Sequence, residues 1–151
     1  MKKIYIINNK HEEGIFMEKR SYELKGDVSI VSKVNGFTYV IEGFATDKSL
    51  FYRTIGLEDL CGLDLEINLS LHPLEAKRIL DCICGNILTG CKLEDGLITS
   101  SLTYAPVLIQ KRVARYPKKE NEVCYRIIFS DEQYLLPTDE RCQSPYKEQL
   151  D

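Results

Sequence analysis

The stretch Leu63-Asp64-Leu65-Glu66-Ile67-Asn68-Leu69-Ser70 constrains the fold more than any other part of this sequence. Four apolar residues alternate with four polar ones, and successive side chains of a strand point to opposite faces. The pattern predicts a strand with one face in the core and one in water. The period then changes. Leu74, Ala76, Ile79, Leu80, Ile83, Cys84, Ile87 and Leu88 recur at helical spacing, with Glu75, Lys77, Arg78, Asp81 and Asn86 on the other side. His72-Pro73 puts a proline at the first helical position, where its missing N–H costs nothing, and Gly90 suits a left-handed C-terminal cap. A helix over residues 73–89 follows, with His72 as a capping or solvated residue at its start.

Strand signals flank this pair on both sides. Gly36 to Glu42 and Ser49 to Ile55 are rich in aromatic and β-branched residues, and residues 43–48 between them suit a hairpin. Ile4 to Ile7 and Val28 to Val31 are shorter strand candidates, while Ala105 to Val113 and Glu122 to Phe129 predict another antiparallel pair. Strands, then one helix, then strands again predict an α+β fold: a mainly antiparallel sheet with one principal amphipathic helix packed on a face. The chain reads as a single domain over residues 1–151, with 8–27 a loop or loosely attached segment and 141–151 a frayed tail.

A chain of this length buries roughly 70% of its unfolded surface, so it needs neither disulfides nor metal to hold a core. Cys61, Cys82, Cys84, Cys91, Cys124 and Cys142 are accordingly read as free thiols acting as small hydrophobes. Metal ligation is not expected. There is no paired Cys-x-x-Cys or HExxH pattern, and on a helix Cys82 and Cys84 lie about 160–200° apart. Twenty Lys plus Arg stand against 23 Asp plus Glu, a net charge of -3, which argues against extended nucleic acid or an anionic membrane as partner. The apolar run after Met1-Lys2-Lys3 is too short for a signal peptide, so a cytoplasmic location is expected.

Residues 52–90 and 125–142 resemble the bacterial domain of unknown function 4262 family. The stretches that carry the resemblance are Tyr52-Arg53-Thr54-Ile55-Gly56-Leu57, then Gly62 to Leu69, and finally Phe129 to Pro137 with its aspartate before a proline turn. The resemblance implies an α+β domain and brings no assigned chemistry with it.

Enzyme signatures are absent: no phosphate-binding Gly-rich loop, no dinucleotide fingerprint and no nucleophile elbow. Asp64 and Glu66 share one side of their strand, and paired carboxylates can perform acid–base work or hold a hard cation. A small hydrolase using Asp64, Glu66 or His72 is therefore one reading, although alternation alone predicts carboxylates on a wet face. The most informative segment is Lys111-Arg112-Val113-Ala114-Arg115-Tyr116-Pro117-Lys118-Lys119, strongly basic within an acidic protein. Arginine presents a planar fork to phosphate or carboxylate, and tyrosine offers a stacking face. Lys111, Arg112, Arg115 and Tyr116, with Tyr104 and Arg126 from the flanking strands, are expected to line a bowl for a small anionic, nucleotide-like ligand. The plain reading of the same segment is a solvated hairpin tip balanced by Glu120 and Glu122. The leading expectation is a non-catalytic binding protein without cofactor that sequesters or senses such a ligand, self-associating as small binding domains commonly do. The alternative is a protein-interaction or inhibitor module using a sheet edge or the aromatic hairpin Phe37 to Tyr52.

Overall fold

The computed structural model describes residues 3–6, 24–103 and 105–151. Eight strands form one sheet in the order β1-β2-β3-β4-β5-β8-β7-β6. They are β1 (Lys3–Ile6), β2 (Val28–Val34), β3 (Phe37–Ala45), β4 (Leu50–Ile55), β5 (Leu65–Ile67), β6 (Ile98–Thr99), β7 (Val107–Val113) and β8 (Val123–Phe129). Among the described residues, two helices join them, a single turn α1 (Glu58–Cys61) and the long α2 (Pro73–Leu88), with a 3-10 turn at Tyr146–Leu150. Pairing is antiparallel except between β1 and β2 and between β5 and β8. The expected α+β architecture, with one main helix on a mostly antiparallel sheet, is the one observed. Most of the segment 8–27 lies outside the described residues.

Local chemistry explains the elements. Asn35 and Gly36 take positive φ of 47° and 86° between paired Val34 and Phe37, the two-residue turn that matches strand twist. His72 caps α2 through its ring, which accepts from the Leu74 amide, and Pro73 follows at the first position. Gly90, just past the helix, takes φ 108°. On the inner face of α2, Ala76, Ile79, Leu80, Ile83 and Cys84 are buried against Ile30, Tyr39, Ile41 and Ile67 of the sheet. Asp81, expected on the wet side, is partly covered instead: it accepts from the Tyr39 hydroxyl at 2.6 Å and from Ser32, and pairs with Lys77 at 2.6 Å. Burial, reinforced by the Asp81 charge, pushes the Tyr39 hydroxyl well above its ordinary value.

All six cysteines are unbridged. Burial lifts the Cys84 and Cys124 thiols to about 12, the behaviour of inert core thiols. Cys82 departs from the expectation of burial, because it faces solvent on the outer side of α2. Among the described residues, no helix is long and apolar enough to cross a membrane.

The last stretch of chain, expected to fray, is packed. After β8 it turns at Asp131, whose carboxylate accepts from the amides of Gln133 and Leu135 on one oxygen and Gln143 on the other. Burial alone would raise this carboxyl, but the amide bonds win and hold it below its ordinary value. A depressed acid contributes stability above its unfolded value and loses that contribution as pH falls through its folded one. Asp131→Asn is therefore expected to be less stable than the parent at neutral pH. The gap should narrow on acidification below roughly pH 4, the ordinary Asp range. Urea unfolding at several pH values checks this, and a gap independent of pH would refute it.

Candidate functional site

The polar face of β5 is not wet. Asp64, Glu66 and Asn68 are all buried, which corrects the expectation of solvated carboxylates. Alternation reports that the two faces of a strand differ, not that the polar one meets water. The second face of β5 is covered by the β7–β8 loop and the C-terminal stretch, which bond Glu66 and Asn68. Cross-strand register then aligns a row of polar side chains over six strands: Ser29, Glu42, Arg53, Glu66, Arg126 and Gln110. The charges along it alternate, and Glu42, Arg53, Glu66 and Arg126 are each at most 3% exposed.

The β7–β8 loop and the C-terminal stretch fold over this row. Arg53 grips Glu122 through both terminal nitrogens, at 2.5 and 2.9 Å, reaches Asp64 at 3.5 Å, and donates to the Tyr116 main-chain oxygen. Burial raises the Asp64 carboxyl even though Thr54 and Arg53 bond it. Glu122 is held below its ordinary value, because the Arg53 guanidinium and the Lys118 amide outweigh its burial. Lys118 closes the group, pairing with Glu58 at 2.9 Å and Asp64 at 3.5 Å. Glu66 accepts from Arg126 Nε at 2.6 Å and from the Arg115 amide at 2.9 Å. Asp64 and Glu66 are thus bound up in buried ion pairs, and His72 is a helix cap. The geometry offers none of the three as a free acid or base.

The residues expected to form one bowl are spread over three settings. Arg126 is buried, and beyond Glu66 it donates to the main-chain oxygens of Gln149 and Asp151. Arg112 bonds Gln110 and the Leu150 oxygen. Lys111 is exposed, with its ammonium 5.8 Å from the Tyr125 ring centre. These three line an open polar depression of about 650 Å³ together with Asp151. Tyr116 instead stacks on Phe44, with centroids 4.3 Å apart and planes 7° from parallel. Tyr104 lies outside the described residues.

Arg115 stands apart from the others. Phe44 and Phe51 are cross-strand partners on β3 and β4, and the loop lays Tyr116 on the first and Arg115 on the second. The Arg115 guanidinium carbon sits 4.3 Å from the Phe51 ring centre, a cation–π contact, while Nη1 donates to Asn68 Oδ1 at 3.2 Å. Its side chain is nonetheless exposed, on the rim of a cavity of about 430 Å³ that Phe51, Asn68, Leu69, Glu148 and Asp151 also line. The aromatic hairpin, considered above as a docking face, has these rings covered from within. Sequence reasoning missed Phe51, Asn68, Glu148 and Asp151 as site residues. Phe51 lies in the aromatic hairpin and Asn68 in the alternating stretch, but neither pattern points to a ligand.

Among the described residues, no group of three or more His, Cys, Asp or Glu side chains is placed to hold a metal ion. In comparisons with known proteins, no family model, curated protein or solved structure matches this chain.

Proposed function

We propose that this chain is a non-catalytic binding domain that captures a small anionic ligand on Arg115, for sequestration or sensing. The supporting observation is the state of that one side chain. Arg126 is neutralised by Glu66 and Arg112 is tied to Gln110 and Leu150. Arg115 is fixed by Phe51, Asn68 and its own amide, yet faces an open cavity. A guanidinium held in place before the ligand arrives loses little freedom on binding, and its planar fork matches carboxylate or phosphate. A nucleotide-like ligand belongs to the same proposal, although Tyr116 is stacked on Phe44 and does not line this cavity. Cytoplasmic location, self-association and kinship with the domain of unknown function 4262 family are further parts of it, and none adds chemistry.

Native mass spectrometry of protein from cell lysate is expected to show a released small molecule and to report subunit number. With inorganic phosphate and acetate as probes, Arg115→Gln should weaken binding about tenfold or more while shifting stability by no more than about 1 kcal/mol. Unchanged affinity in Arg115→Gln would sink the site.

A further inference from the structure

We infer that the ligand of the Arg115 cleft is a zwitterion, carrying an ammonium group as well as the anionic group. This rests on the anion reading above and narrows it. Among the described residues, the cleft presents one cation, Arg115, but two acidic residues, Glu148 and Asp151. Glu148 is exposed and is positioned by Ser144, whose hydroxyl donates to it. Asp151 is exposed too, and its main chain is anchored by Arg126 and Asn68, so it stays at the cleft wall. A plain anion entering this space gains Arg115 and meets two like charges. A molecule with an ammonium group at its other end turns that repulsion into a second charge-assisted contact.

The remaining lining agrees with such a ligand. Phe51 and Leu69 supply an apolar floor between the charged ends, and Asn68 supplies an amide beside Arg115. Small-molecule sites are commonly built this way, with few polar groups placed around apolar surface, and about 430 Å³ falls in their usual size range. The chemical class is an amino acid or another small amino-carboxylate or amino-phosphate.

The test uses the full chain and three sets of probes followed by NMR at the Arg115 Nε–H and the Asn68 side-chain amide. The sets are straight-chain ω-amino acids from glycine to aminohexanoate, the matching alkyl carboxylates, and the matching alkylamines. At least one amino acid should bind about tenfold more tightly than its matched carboxylate and amine, the value of one added charge contact. Combining Glu148→Gln with Asp151→Asn should bring that amino acid down to its carboxylate's affinity, without weakening the carboxylate itself. Both positions are exposed, so folding should be retained, and circular dichroism checks it. Carboxylates that equal the amino acids overturn the zwitterion and leave the anion reading standing. Amines that equal the amino acids, or no change at Arg115 with any probe, overturn both.

Discussion

Arg53→Met is expected to cost about 3–5 kcal/mol, because it strips the partner from carboxylates that water cannot reach. Arg53 is 1% exposed, and its guanidinium serves Glu122 and Asp64 at once. Methionine fills much of the volume but leaves Glu122 with only the Lys118 amide and Asp64 with less countercharge. For a domain of this size the loss corresponds to a fall in melting temperature of about 6–20 °C. Pairing the change with Glu122→Leu should recover a good part of it, because Glu122 is then no longer a stranded charge and Asp64 keeps Lys118. Urea unfolding of the single and double variants measures both. A single variant within about 1 kcal/mol of the parent would show that the buried row is dispensable.

The second large effect is placed in the C-terminal stretch. Gln149 is fully buried, and its side chain mimics a strand partner for Phe129, accepting from its amide and donating to its oxygen, both at 2.7 Å. It also donates to the Tyr146 oxygen at 2.7 Å. Gln149→Leu preserves bulk and removes all three bonds, leaving buried main-chain groups unpaired at a cost of about 2–4 kcal/mol. Because the same turn brings the main-chain oxygens to Arg126 and Asn68, its release should also loosen the wall of the Arg115 cleft. Hydrogen exchange is the discriminating readout. The Phe129 amide should lose protection in Gln149→Leu and keep it in Lys147→Ala, a change at an exposed neighbour. Equal protection in both variants would refute the clasp.

Local pattern carried much of the fold into view. The helix over Pro73–Leu88 is legible because its apolar residues repeat at 3.6, a proline opens it and a glycine follows it. The β7–β8 pair and the β3–β4 hairpin are legible because aromatic and β-branched residues are concentrated there. The turn Asn35-Gly36 carries a local hairpin signal, while β6, two residues long, has too few residues to show any period. The candidate site was half legible. The basic loop drew attention to Arg115, but nothing local separated it from Arg112 or Arg126, whose partners lie 38 and 60 residues away in the chain.

What this sequence determined by itself is the set of elements and which faces are apolar, since both follow from side-chain spacing within a few turns of chain. What only the tertiary structure decided is the fate of the polar residues. Arg53 sits in a strand that reads as apolar, and Glu122 in a loop that reads as solvated, yet they meet in the interior 69 residues apart. A hydrophobic side chain can be assigned to the core alone, because removal from water stabilises it wherever it packs. A buried charge is tolerated only with its partner, and partners are chosen by strand order and register. For that reason Arg115 is told apart from Arg53 and Arg126 only by the fold, which gives those two their buried carboxylate partners and leaves Arg115 exposed.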